Sequence, residues 1–230
     1  MVKYNESHEK REEEGMSGAI LVGLCGRSGA GKGYVSEIFF RRFGIPSIDT
    51  DAVYRDLTKP CGDNEVSECM RELKKRFGDN AAAPDNSLNR EVMRSLVFGD
   101  NKENLRDLNR ITHKHILAET ERTADRLYKK GYKIILIDAP LLFESGFDKL
   151  CRRTVCVTTD EATALRRIMR RDGIDEDAAK KRLAVQIPAD ELEKKCDFVI
   201  VNDCGGEELE ARVGETAARL RELCGEPEEK

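Results

Sequence analysis

The sequence predicts an α/β fold: a parallel five-stranded sheet flanked by helices, with a helical insertion between strands and a helical lid. Three observations predict it. Strand-length apolar runs at residues 19–25, 133–138, 154–158 and 197–202 alternate with stretches of helical periodicity. The first run turns into a helix through a glycine-rich segment. Two of the runs, and the short Ser47-Ile48 strand, end next to aspartates, and in an open parallel sheet ligands lie beyond the carboxyl ends of strands.

The first strand and its turn organise the rest. Gly26, Gly31 and Lys32 fit the G-x-x-x-x-G-K pattern of a phosphate-binding loop, and from Tyr34 the spacing is helical through Val35, Ile38 and Phe39. The expected fold is thus of the P-loop NTPase type. Glycines let backbone N–H groups converge on one anion, and the helix that follows adds its positive N-terminal end. Gly29, Ala30, Gly31, Lys32, Gly33 and Tyr34 are the expected nucleotide-binding residues, with Lys32 reaching the β- and γ-phosphates. Gly33 stands where Ser or Thr usually offers a hydroxyl to Mg²⁺.

Gly44-Ile45-Pro46 ends the first helix, and the second strand runs into Asp49-Thr50-Asp51. One of these acids is expected to cap the next helix. Asp49 takes the more structural role and Asp51 the more chemical one. Residues 52–130 carry no strand pattern. Val66, Met70, Leu73 and Phe77 form one helical stripe, Ser87 or Asn89 is placed to cap a further helix, and a long helix from about 102 to 130 turns Leu105, Leu108, Ile111 and Ile116 inward. His113 and His115 lie on it, and a histidine on such a face is more often packed and hydrogen-bonded than catalytic.

After Gly131, residues 133–138 form a strand ending in Asp138, placed to order Mg²⁺ or its waters beside the loop. Ala139-Pro140-Leu141-Leu142-Phe143-Glu144 then suits the lining of a substrate cleft. Asp160 is placed to cap a helix bearing Arg166, Arg167, Arg170 and Arg171. Asp172-Gly173 and a second helix from Asp175 complete a hairpin of the kind that closes over a triphosphate; a solvated basic face is the plainer alternative. The final strand, 197–202, precedes a helix over 207–223 that packs Leu209, Val213, Ala217 and Leu220.

Composition sets the outer limits. Charged residues make up 37% of 230 and hydrophobic ones 39%, with a net charge of −4 and dispersed basic residues, which argues against nucleic acid as the main partner. No apolar run reaches the length of a membrane span or a signal-peptide core. A cytoplasmic location is expected, with no membrane and no obligate protein partner. The eight cysteines contain no C-x-x-C pair and histidines are few, so neither a zinc site nor a disulfide framework is expected. Residues 1–17, polar and including Glu12, Glu13 and Glu14 in a row, read as a disordered extension.

With these pieces in order, the chain resembles the dephospho-CoA kinase family from Ile20 to about Leu223. The resemblance is carried by Gly29-Ala30-Gly31-Lys32, Ile48-Asp49-Thr50-Asp51, Leu96-Val97-Phe98 and Ile111-Thr112-His113, then by the segment from Asp138 to Glu144. Arg167-Ile168-Met169-Arg170-Arg171-Asp172, Arg182 through Gln186, and the segment from Asp197 to Asn202 complete it. It implies transfer of the ATP γ-phosphoryl group, with Mg²⁺, to the ribose 3′-hydroxyl of dephospho-CoA, the last step of coenzyme A synthesis. Asp51 would be the base, and Lys32, Arg167 and Arg171 would neutralise charge. Asp49, His113, Leu142, Phe143 and Glu144 would contact the acceptor.

The implied division is a nucleotide-binding core at 18–51, 131–160 and 191–224, an acceptor-binding insertion at 52–130 and a lid at 161–190. Arg27-Ser28, Lys114 and Gly33 depart from the family's usual residues. A nucleoside monophosphate kinase, which also commonly reads G-K-G, and a catalytically silent nucleotide-binding protein are the alternatives.

Overall fold

The computed structural model describes residues 2–4, 18–60, 65–97, 102–223 and 225. Its sheet is built from β1 (Val2–Tyr4), β2 (Ile20–Cys25), β3 (Ser47–Asp49), β4 (Ile134–Asp138), β5 (Arg153–Thr158) and β6 (Phe198–Val201), in the order β1-β6-β5-β2-β4-β3. The five expected strands are present. β2 pairs in parallel with β4 on one side and β5 on the other, and β5 pairs in parallel with β6. Val2–Tyr4 adds an antiparallel edge strand on β6, where the sequence led us to expect no structure. The rest of that extension lies outside the described residues.

Contacts divide the chain into two units, residues 1–48 with 124–230, and residues 49–123. In the first, β2 is central and covered on both faces, which is why its sequence is a continuous apolar run rather than an alternation. Val22 and Leu24 face a core shared with Val35, Ile38 and Phe39 of α1 (Lys32–Phe43) and Leu209, Val213, Ala217 and Leu220 of α9 (Gly206–Leu223). Each such fully buried side chain contributes about 1.5–3 kcal/mol relative to exposure. α1 stops at Gly44, whose left-handed backbone lets its N–H reach the carbonyls of Phe39 and Phe40.

The second unit is α2 (Thr50–Leu57), α3 (Glu68–Phe77), α4 (Arg90–Val97) and most of α5 (Lys102–Lys129). Cys69, Met70, Leu73, Met93, Val97 and Ile111 form its core, with Val66, Phe77 and Leu108 packed against it. Asn89 is the residue that caps α4, accepting from the N–H of Val92. Leu105, expected to face inward, is 39% exposed: it lies in the first turn of α5, ahead of the segment that meets this core. The division also differs from the expected 52–130 insertion. The end of α5 goes with the sheet because Ala124 is fully buried there and Tyr128 packs across Gly18, under the ammonium of Lys133 at 4.4 Å.

The expected hairpin is α6 (Glu161–Asp172) and α7 (Glu176–Ala184), joined at Gly173 and capped by Asp160 and Asp175. Ala164, Ile168, Ala179 and Leu183 pack it together. A further helix, α8 (Ala189–Lys195), precedes β6. Among the described residues no helix is long and apolar enough to cross a membrane.

Candidate active site

The loop between β2 and α1 is fixed by how close its neighbours come. A Cβ on Gly26 would lie 2.5 Å from the carbonyl oxygen of Val157, and one on Gly29 2.5 Å from that of Ala164. Gly29 and Gly31 hold φ of +80° and +88°, the left-handed region that side chains resist. Gly31, as the N-cap of α1, would also drive a Cβ into the side-chain amide of Asn202. Gly33 differs: nothing lies within 4 Å of where its Cβ would point. Glycine at 33 is therefore not demanded by packing.

Lys32 opens α1, and its ammonium forms an ion pair with the carboxylate of Asp138, which ends β4 beside β2. Both side chains are mostly buried, at 16% and 11% exposure, so little water screens the pair. The sequence-predicted lysine and strand-terminal acid are thus brought together.

Arg167 is also drawn to the loop. One of its terminal nitrogens donates to the carbonyls of Gly29 and Ala30, at 3.3 and 3.4 Å, and the other to that of Asn202 at 3.3 Å. Asn202 itself donates its side-chain amide to Ala30 at 2.7 Å, wholly buried. On the other flank, Arg27 donates to the carbonyl of Leu183 at 2.7 Å, and Gln186 accepts from the N–H of Ser28 at 3.0 Å. Arg27 and Ser28 thus clasp the segment around the end of α7.

Arg171 does not reach the loop. It grips Asp172 with two nitrogens, at 2.8 and 3.0 Å, and Arg182 of α7 pairs with the same carboxylate. The hydrogen bond from Arg171 holds the Asp172 carboxyl below its ordinary range and raises the Arg171 guanidinium above its own. The two guanidiniums are open to solvent, at 60% and 43% exposure, while the carboxylate between them keeps 22%.

In the helical unit, Asp49 accepts from the N–H groups of Asp51 and Ala52, at 2.9 and 3.1 Å, and so caps α2. Asp51, in the first turn, leaves its side chain exposed. His113 is half-buried, and desolvation lowers its pKa. His115 and Lys114 both meet Glu72, at 3.3 and 2.7 Å; the Lys114 hydrogen bond is the main reason the Glu72 carboxyl is lowered.

In the first unit, Leu141, Phe143 and Glu144 line a groove with Gly26, Arg27 and Gln186. Phe143 lies 5.4 Å beneath the Lys195 ammonium. Leu142 lines that groove only from below: it is fully buried and packs against Gly23. Sequence reading did not single out Asn202 and Asp172 as site residues, and it read Arg182 and Gln186 only as part of the family resemblance. The partners of Asn202 and Gln186 lie far off in sequence, those of Asp172 and Arg182 within ten residues, and Asn202 at the end of a strand was the one legible signal.

A glycine loop between a central parallel strand and a helix, with a lysine at its mouth and an acid on the adjacent strand, defines the nucleotide-binding fold of P-loop kinases. A sequence model of the family described as dephospho-CoA kinase matches residues 20–208, and this chain belongs to that family. A dephospho-CoA kinase of Syntrophotalea carbinolica is 34% identical over 201 residues, covering 87% of this chain and 92% of that protein. One from Listeria monocytogenes is 33% identical over 192 residues, covering 84% and 92%. Among solved structures, one from Thermus thermophilus aligns with a TM-score of 0.71 at 27% identity, covering 89% of this chain and 98% of that one. The dephospho-CoA kinase of Campylobacter jejuni aligns at 0.64 and 26%, covering 90% and 99%.

Proposed function

We propose that the chain phosphorylates dephospho-CoA, moving the γ-phosphoryl of ATP to the ribose 3′-hydroxyl to give coenzyme A. The observation that carries the reading is the family match, which spans the loop, the helical unit and the hairpin together. Phosphoryl transfer asks for positioning and charge neutralisation rather than covalent help. Backbone amides from Gly29 to Tyr34 would hold the phosphates at the positive end of α1. Lys32 would exchange Asp138 for the β- and γ-phosphates. Arg167, held along the loop by carbonyls, would set the loop's shape and lend charge to the transferring group. Arg171 would add charge from the hairpin.

Asp51 is our candidate for the base that accepts the 3′-hydroxyl proton, a role worth about 10²–10⁴ in rate. Asp49 would hold Asp51 in place through its cap. His113, Phe143 and Glu144 would contact the acceptor, with Leu142 supporting them from the core. The residues present fit magnesium of the kind that keeps several waters: Asp138 offers a carboxylate and Gly33 offers no hydroxyl. Asp138 would hold Mg²⁺ through ordered water, and the ion supplies neutralisation of charge on the phosphate oxygens. We place the enzyme in the cytoplasm, acting on small molecules.

The test is a panel of acceptors with ADP release as the readout. Dephospho-CoA is expected to support turnover while AMP, CMP and UMP leave ADP at the level without acceptor. Turnover on a nucleoside monophosphate, or on none of the four despite ATP binding, would overturn the reading.

A further inference from the structure

Directly beneath the phosphate loop the fold gathers three cysteines that the proposed chemistry does not use. Cys25 ends β2 one residue before Gly26 and is paired in register with Cys156 on β5. Cys196 enters from the turn between α8 and β6. Each is at most 1% exposed, and their three sulfurs lie within 4.8 Å of one another, with Cys25 and Cys196 at 3.4 Å. Among the described residues no fourth Cys, His, Asp or Glu ligand atom joins the group.

We propose that Cys25, Cys156 and Cys196 form a binding site for a soft, thiophilic cation satisfied by three thiolates, with Cu(I) as its best occupant. A metal–thiolate bond of about 2.3 Å places three sulfurs around a trigonal centre about 4 Å apart. The observed group brackets that spacing, with its Cys25–Cys196 edge at 3.4 Å and all three sulfurs within 4.8 Å. Thiolates select Cu(I) and zinc over harder ions, and structural zinc takes four protein ligands where this group offers three.

The three thiols form one hydrogen-bonded group. Hydrogen bonds from Cys156 and then Cys25 lower the Cys196 thiol, while the Cys25 and Cys156 thiols are raised as donors. Binding is balanced as Cu⁺ entering, one proton leaving for each thiol that becomes a ligand and three Cu–S bonds forming, with no change of oxidation state.

Access is short. Cys156 lines a cavity of about 90 Å³ with Arg27, Thr158, Leu183 and Leu192. Cys25 lines the neighbouring groove beside Arg27 and Phe143. The sequence hid the site because the cysteines lie on three separate elements with no motif spacing.

The test is an anaerobic Cu(I) titration of the full chain against a chromophoric Cu(I) chelator, with X-ray absorption on the loaded protein. The expected result is one tightly held Cu(I) per chain with a first shell of three sulfurs. Cys156→Ser and Cys196→Ser should each lose about 100-fold or more in affinity, since even outer partners of a metal ligand are worth 10–100-fold. Cys69→Ser and Cys204→Ser should bind as the parent does. A first shell without three sulfurs in the unsubstituted protein, or undiminished binding by both site variants, would overturn the proposal. The absorption arm needs no variant, so a variant that folds poorly does not leave the question open, and neither arm depends on kinase activity.

Discussion

The phosphate loop and the tip of the α6–α7 hairpin are both rich in charge and glycine, yet they are held by different physics. In the loop, two glycines are dictated by carbonyl oxygens 2.5 Å from where a Cβ would lie, and two more partners, Asn202 and Arg167, lock its own carbonyls. At the tip, Gly173 has open space around it, and Arg171, Asp172 and Arg182 form an ion cluster facing solvent. Close packing transmits any change in shape, whereas exposed ion pairs contribute little and rearrange easily. The loop is built to keep one geometry. The tip is built to change partners.

Substitutions can break that contrast, and the largest effect belongs to the loop. Gly31→Ala forces a side chain into left-handed backbone and against Asn202, so turnover should fall by about 10² or more. Stability should fall by on the order of 1–3 kcal/mol. Steady-state kinetics and a denaturant melt check both, and a loop that tolerated the alanine would not be rigid.

The two arginines sharpen the comparison, being one helical turn apart on α6. Arg167→Lys cannot span the carbonyls of Gly29, Ala30 and Asn202, and ATP affinity should drop about 10- to 100-fold, the scale of lost hydrogen bonds to a charged group. Arg171→Ala should leave the melting temperature and ATP affinity near the parent's, its effect falling on kcat. Equal losses of ATP affinity for both would erase the distinction between loop and hairpin tip.

The smallest effect lies in the helical unit and is read in pH. Burial lowers His113, so the unfolded chain binds the proton more readily, and stability is lost as pH falls below about 6.5. Glu72, lowered by Lys114, contributes stability above its unfolded value that is lost on further acidification. His113→Gln in the full chain should flatten the upper part of this profile only. An unchanged slope between pH 5 and 6.5 would show that His113 does not carry it, whatever the lower limb does.

What the sequence made legible was local. Asp49, Asp160 and Asn89 were readable as caps because each bonds an amide two or three residues on. The loop was legible because glycine spacing and the switch from strand to helix period lie within twenty residues of each other. What stayed hidden joins distant segments: Arg167 and Gly29 are 138 positions apart, Asn202 and Ala30 172, Ser28 and Gln186 158. Periodicity carries no information about such pairs. Leu142 shows the same limit from the other side. Its apolar setting suited a cleft wall, but the lack of a side chain at Gly23 draws it into the core.

The most direct measurement follows labelled γ-phosphate from ATP to dephospho-CoA in the parent and in Asp51→Asn. With the parent protein, label is expected on the 3′-oxygen of coenzyme A. In the variant, transfer should be slower by about 10² or more, with ATP affinity nearly unchanged. Label reaching no acceptor with the parent, or an Asp51→Asn protein working at the parent's rate, would contradict the proposed mechanism.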